Sequence, residues 1–351
     1  MNKSSLTVSL SRYVLAAVIG LLVASLILQS QGYPITEFLS VLATSTVGTP
    51  YAFLDVLRWM TPLLLSGLAF LIAARVGYFN LGVEGQIYIG SLFSAVITHV
   101  LPLPPVLALL VGILAGMAGG LIWAYPCAWL AKRFGVNEVV TTLMLNYVAV
   151  LITSFLVKQF FLATTVNGGT IQTITTDEIE ANAVLPTFTP YSALNAGLFI
   201  AVAVTAVAAF VLGRMRTGYE LRAVGEAPKF AKYSGIPVAR RKFQAFLVSG
   251  AIAGLVGALE TQGVLHSFIA GSLDNMGFNG MLVSLVAMNN PIGLFASALF
   301  FGVLQNSQLV ISQVTTVSSY LITVVSALFI LAFAANPIQF IMKTWRARRE
   351  R

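Results

Sequence analysis

Long apolar runs separated by short polar breaks dominate the chain, and the charged residues sit almost wholly in the breaks. The runs are built of Leu, Val, Ala and Ile without the strict two-residue alternation that a membrane barrel strand needs. They match spanning helices of ~20 residues rather than strands of ~10. The pattern predicts an all-α, polytopic integral membrane protein with about ten transmembrane helices, some of them broken.

Taken in order, Lys3 and Arg12 precede an apolar run from Tyr13 to Gln31. Positive charge before a first span places the N-terminus on the cytoplasmic side, and no small-x-small cleavage site follows, so the run reads as an uncleaved helix. Residues 32 to 50 are polar and read as an external loop or a partly interfacial stretch. A second span covers Leu57 to Ala74, closed by Arg75. No charge occurs from Gly85 to Ala131, and Leu101-Pro-Leu-Pro-Pro105 splits that stretch into two spans because a helix cannot continue through it. Gly112, Gly116, Gly119 and Gly120 fall in the later span at spacings that let another helix approach closely. Asn137 is placed to cap the next helix, with Glu138 in its first turn, where the helix dipole favours a carboxylate.

Residues 163 to 192 carry Asp177, Glu178 and Glu180 but no Lys or Arg, and read as the largest external loop. Ala193 to Gly213 then crosses inward and delivers the basic segment 214 to 242 to the cytoplasm. Phe243 to Leu259 leads out again. From Asn275 to Met342 there is no charge over 68 residues, enough for three spans, with Asn289-Asn290-Pro291 and the Ser/Thr-rich 312 to 319 as breaks. Both termini then lie in the cytoplasm.

The break at 77 to 90 differs from the others. Its sequence, Gly77-Tyr-Phe-Asn-Leu-Gly-Val-Glu-Gly-Gln-Ile-Tyr-Ile-Gly90, puts Asn80, Glu84 and Gln86 among three helix-weakening glycines between two membrane-length runs. A broken helix lining a cavity accommodates both facts, and a tight cytoplasmic turn is the alternative. Gly277-Phe-Asn-Gly-Met281 and Met288-Asn-Asn-Pro-Ile-Gly293 repeat the character in the second half, and paired interruptions of this kind point to a transport pathway. Amides that pack helix against helix are the plainer account of the same residues.

Composition narrows the function. Only 9% of the 351 residues are charged and 58% are hydrophobic. The net charge of +8 is no nucleic-acid signature, because eight of the twenty Lys and Arg lie between Arg214 and Lys242 and five between Lys343 and Arg351. That clustering is the positive-inside pattern. The single cysteine, Cys127, excludes an internal disulfide and any Cys-based metal site. His99 and His266 lack metal-type spacing and read as interfacial or loop residues, and there is no Gly-x-x-x-x-Gly-Lys-[Ser/Thr], so the chain carries no Walker-type nucleotide site.

The basic segment mixes its charges with Leu221, Val224, Phe230, Tyr233 and Ile236. A short amphipathic helix pressed into a partner's groove needs such residues, whereas a loop resting on anionic lipid headgroups does not. The helix starts after Gly225, with Pro228 in its first turn, and stops at Gly235 before Pro237.

Three stretches carry a resemblance over nearly the whole chain. Gly77-Tyr-Phe-Asn-Leu-Gly-Val-Glu-Gly-Gln86, Asn137-Glu-Val-Val-Thr-Thr-Leu-Met-Leu-Asn-Tyr147 and the segment from Ala223 to Ile236 resemble the permease subunits of bacterial ABC importers for nucleosides or simple sugars, in the wider branched-chain amino acid and ribose permease group. The resemblance implies a non-catalytic subunit of the bacterial cytoplasmic membrane. In it, separate ATPase subunits bind ATP and Mg, a second permease, commonly a different one, completes the channel, and an extracytoplasmic lipoprotein delivers substrate. No cofactor is implied for the chain itself.

Residues 1 to 351 then form one permease domain, and 214 to 242 becomes the ATPase-coupling segment, with Leu221, Val224, Glu226, Phe230, Tyr233, Gly235 and Ile236 as its contact residues. Its Glu226-Ala227 is followed by Pro228 and by a later glycine, Gly235, which departs from the Glu-Ala-Ala…Gly loop of other importers. A nucleoside presents a π-face and hydroxyls, for which Tyr78, Phe79, Asn80, Glu84, Gln86, Asn146 and Asn279 are the candidate pathway groups, Glu84 as a hydrogen-bonded structural carboxylate. An ion-coupled secondary transporter is the competing reading, and it depends on Glu84 as nearly the only intramembrane ionisable group.

Overall fold

The computed structural model describes residues 35–163 and 173–314, together with Gln29. The first apolar run, the tip of the 163 to 192 segment and everything after Val314 lie outside the described residues, and so do the last predicted spans. The described chain is helical: α1 Ile35–Val47, α2 Pro50–Ala74, α3 Val83–Val100, α4 Pro105–Phe134, α5 Glu138–Leu156, α6 Gly197–Arg214, α7 Arg216–Glu226, α8 Pro228–Tyr233, α9 Val238–Glu260, α10 Met276–Val286 and α11 Gly293–Val314. One antiparallel hairpin, β1 Thr187–Thr189 with β2 Ser192–Asn195, is the sole sheet among the described residues. Six of the described helices are long and apolar enough to cross a membrane. The fold is therefore the all-α, polytopic one expected.

The chain divides into two compact units, one of residues 57–302 and one that includes 35–56 and the stretch from Val303 on. In the smaller unit the Asn306 amide donates to the Ser45 carbonyl at 2.7 Å and the Ser45 and Ser307 hydroxyls meet at 2.9 Å. Residues 35–47, read from the sequence as an external loop or a partly interfacial stretch, form helix α1 and not a loop. Ile35, Phe38, Leu39 and Leu42 recur at helical spacing in the sequence, and the Thr44 hydroxyl donates to the Ser40 carbonyl, so Thr44 is accommodated within the helix.

In the larger unit the core is a three-helix crossing of α3, α4 and α9 held together by glycine. A methyl group on Gly254 would stand 2.1 Å from the Gly116 carbonyl, and one on Gly120 would stand 2.3 Å from the Gly250 carbonyl. Backbone therefore lies directly on backbone, the small-residue packing expected when no water drives helices together. Helices α2 and α9 are mostly buried, while α4, α5 and α6 expose most of their apolar surface, as helices facing lipid do. Breaks fall where Pro and Asn put them. Asn137 caps α5, its side chain accepting from the Val139 N–H at 2.9 Å, and Met288 and Asn289 take consecutive left-handed conformations between α10 and α11.

The described part of the 163 to 192 segment is a packed cap and not a free loop. Ile179 donates to the His266 carbonyl and Leu185 to the Gln262 carbonyl, both at 2.8 Å, and Ile179, Ala183 and Leu185 are buried beneath it.

Candidate functional site

The break after α2 turns at Gly77, which takes a φ of +73°, and the chain then folds back so that the Tyr78 N–H reaches the Ala73 carbonyl at 3.1 Å. Asn80 is thereby returned to the level of Ala69 and Ser249 and is fully buried. Its amide nitrogen donates to the Gln86 side-chain oxygen and to the Ser249 hydroxyl, each at 2.9 Å, and its oxygen accepts from the Gly82 N–H at 3.0 Å. The Ser249 hydroxyl in turn donates to the Ala69 carbonyl at 2.6 Å. Asn146 from α5 closes the other side, accepting from the Gly85 N–H at 2.9 Å and donating to the Leu81 carbonyl at 2.7 Å. The broken backbone here is packed inside the protein, so these buried amides supply the partners that a continuous helix would have found in itself.

The candidate pathway residues thus separate by environment. Asn80, Gln86 and Asn146 are buried and bonded within the protein. Tyr78 packs edge-on against Phe246, and the Lys242 ammonium sits 4.5 Å from its ring centre. Phe79 is 47% exposed and is the one aromatic of the break that faces outward. Glu84 lies in the first turn of α3 against the N-terminal amides of α10 at Asn275 and Phe278, with one carboxylate oxygen buried and unbonded. Gly277 permits that approach, since a methyl group there would strike the Glu84 backbone at 2.4 Å. Asn279 is half-buried in the first turn of α10, so the two interruptions meet at Glu84 and Gly277.

The basic segment forms two helices, α7 and α8, of which only the second was legible in sequence. Pro228 opens α8 and a left-handed Gly235, φ +77°, follows its end. Glu220 in α7 pairs with Arg216 at 2.8 Å and with the Arg241 guanidinium from the start of α9. Burial pushes its carboxyl up, but the two guanidiniums outweigh that and hold it below the usual carboxylate range. Leu221 and Val224 are buried within the chain, and Ile236 is half-buried. Glu226, Phe230 and Tyr233 stand outward, Tyr233 at 91% exposure.

Besides Lys242 over Tyr78, a backbone contact joins the segment to the break. Gly225 lies so close to the turn after α2 that a methyl group on it would stand 2.2 Å from the Arg75 carbonyl, and Gly77 lies just beyond. Arg75 itself donates to the Asn289 carbonyl at 2.5 Å, tying in the second interruption as well.

Sequence reasoning missed Ser249, Glu220 and the Gly225 contact. Small residues at four-residue steps, Gly250, Gly254 and Ala258, signal close packing of α9, but nothing in the sequence pairs them with the break. Elsewhere, Arg58 and Glu260 form a buried ion pair at 2.8 Å, and the His99 ring meets the Glu178 carbonyl at 3.1 Å.

Comparison with known proteins accords with this architecture. The family model described as branched-chain amino acid transport system / permease component matches residues 52–334. Among relatives, the guanosine ABC transporter permease protein NupP of Bacillus subtilis is 30% identical over 335 residues, covering 93% of this chain and 94% of its own. The nucleoside ABC transporter permease protein NupB of Lactococcus lactis is 33% identical over 83% of this chain and 81% of its own. The glucose ABC transporter permease protein TsgB13 of Haloferax volcanii is 29% identical over 83% of this chain and 78% of its own. The glycine-packed helices, the broken segment and the basic helical pair therefore belong to a member of the branched-chain amino acid transport system permease-component family.

Proposed function

We propose that the chain is the membrane-spanning permease of an ATP-driven importer that passes nucleosides from an extracytoplasmic lipoprotein into the cytoplasm across a bacterial inner membrane. Likeness to guanosine and nucleoside permeases over most of the chain supports the substrate class, and likeness to a glucose permease keeps simple sugars as the second reading. ATP hydrolysis belongs to separate ATPase subunits with their own Mg-ATP sites. A second, different permease completes the channel, as the existence of distinct relatives named NupB and NupC in one organism supports.

The observation that carries the mechanism is the contact of Gly225 with the Arg75 carbonyl. Helix α8 presents Phe230 and Tyr233 outward, where an ATPase groove can take them, and α7 is locked to α9 through Glu220 and Arg241. A push on α8 therefore reaches the turn at 75–77 through backbone contact and not through a flexible side chain. Behind that turn lies the rigid amide cluster of Asn80, Gln86, Ser249 and Asn146. Closure of the ATPases moves this unit as one body and switches access between the two sides of the membrane. Glu84 holds the two interruptions together in this scheme and carries no coupling ion.

Reconstitution with the partner ATPases, second permease and binding protein tests the reading. Uptake of a labelled nucleoside that requires ATP and is not competed by glucose is the expected result. Uptake by this chain alone on a proton or sodium gradient would sink the proposal, and competition by glucose but not by nucleosides would favour the sugar reading.

A further inference from the structure

A crevice of about 650 Å³ opens on the basic side of the larger unit, lined by Tyr78, Lys132, Lys232, Arg240 and Lys242 together with the first turn of α9. Four cations from three separated parts of the sequence, the end of α4, helix α8 and the start of α9, converge there, and no carboxylate lines it. None of the four makes an ion pair among the described residues, in contrast with Arg241, whose charge is taken up by Glu220. Side-chain positions are held: the Lys242 ammonium rests over the Tyr78 ring at 4.5 Å and the Lys132 ammonium over the Phe243 ring at 4.9 Å. Helix α9 begins at Val238 after Pro237, which has no side-chain oxygen to cap it, and the residues Pro237, Val238 and Ala239 at its start line the crevice.

Like charges gathered in a concave site repel one another and favour binding of an anion. We infer that this crevice binds a phosphate group, carried either by a soluble phosphate monoester or by an anionic phospholipid headgroup. A phosphate monoester carries up to two charges and several acceptor oxygens, which matches several cations and a helix N-terminus better than a single carboxylate does. The volume lies within the range of small-molecule sites, enough for a nucleotide-sized ligand or a headgroup. Tyr78 belongs to the wall of the crevice and also to the broken segment, so an occupant bears on the same turn that Gly225 touches. Occupancy would then bias the transport cycle from the basic side. The site itself rests on geometry alone and stands apart from the identity of the transported substrate.

The test uses the full chain in nanodiscs of phosphatidylcholine, with equilibrium binding of inorganic phosphate and of guanosine 5′-monophosphate set against guanosine, and native mass spectrometry for retained phosphatidylglycerol. The soluble source predicts saturable binding of the phosphate-bearing probes and not of guanosine. The lipid source predicts selective retention of phosphatidylglycerol over phosphatidylcholine and no binding of the soluble probes. In either case Lys132→Gln and Arg240→Gln should each weaken binding roughly tenfold, from the worth of a charge-assisted hydrogen bond. Arg214→Gln, exposed and outside the crevice, should leave it unchanged.

Lys232→Glu, a reversal on an exposed side chain, should abolish binding while the protein remains monodisperse. Absence of binding by every probe, or equal binding by wild type and the Lys132 and Arg240 variants, overturns the inference. So does the finding that these variants lose affinity for the ATPase subunit while binding of phosphate and lipid is untouched, since the crevice would then be an acidic-peptide socket.

Discussion

At the scale of single residues, Asn80 shows how an intramembrane amide is kept. Its side chain makes four hydrogen bonds of 2.9–3.3 Å in a fully buried site, so Asn80→Ala leaves the Gly82 N–H and the Gln86 amide without that partner. A loss of about 1–3 kcal/mol is expected, measured by thermal unfolding in detergent. Phe79→Ala, next to it in sequence, should cost less, about 0.5–1 kcal/mol, because the ring is 47% exposed and keeps only its contact with Phe70, 5.9 Å between ring centres. Equal destabilisation by both would refute this division of the break into an internal scaffold and an outward face.

Glu220 gives a pH prediction. Its folded-state carboxyl lies below the ordinary value of 4.5, so the stabilisation it lends α7 is fully present at neutral pH and fades only as pH falls through that lowered value. Limited proteolysis of the α7–α8 region should therefore be flat from pH 8 to 5 in the wild type. In Glu220→Gln, cleavage should be raised throughout. A rise in wild-type cleavage already between pH 7 and 6 would mean that another group governs the segment.

At the scale of elements, the glycines of α3, α4 and α9 permit backbone contact that a side chain would block. Gly254→Val places carbon atoms where the Gly116 carbonyl and the Gly120 amide already stand, and the three helices cannot keep their crossing. Loss of monodisperse protein is expected. Gly213→Ala is the counterpart: nothing lies within 4 Å of the added methyl group, and the residue is in an exposed stretch of α6. That change should stabilise by about 0.5–1 kcal/mol, read as a raised melting temperature. A similar outcome for the two substitutions would contradict the packing described. Helix α8 behaves as an element of a different kind, short, entered at Pro228 and closed at Gly235, with its aromatic residues facing away from the chain.

For the whole molecule, Tyr233→Asp tests whether the basic helical pair transmits force. Tyr233 is exposed, so insertion and stability should be unchanged. In the assembled transporter, ATP hydrolysis should persist while uptake falls at least tenfold. Normal uptake would remove α8 from the coupling route.

Much of this architecture was legible in the sequence, because bilayer thickness sets the length of an apolar run and Pro, Gly and charge mark where it must end. The start of α8 at Pro228, the cap at Asn137 and the break at 101–105 all follow from local chemistry of that kind. Helix α1 was not legible, since its Ser and Thr mimic a loop in one dimension, while the Thr44 hydroxyl bonds back to the Ser40 carbonyl and the Ser45 hydroxyl finds Ser307 on another helix. Helix α7 was hidden by its charges, which look like a solvated stretch until Glu220 is seen between Arg216 and Arg241. By itself, then, the sequence determined the class of protein and the breaks at 77–90, 101–105 and 289–291. Only the tertiary structure decided that Asn80 bonds Ser249 from a helix 169 positions away, that Gly225 rests on the Arg75 carbonyl, and that four cations share one crevice. Such pairings depend on which helix faces which, and that is set by glycine contacts between distant backbones for which no local pattern exists.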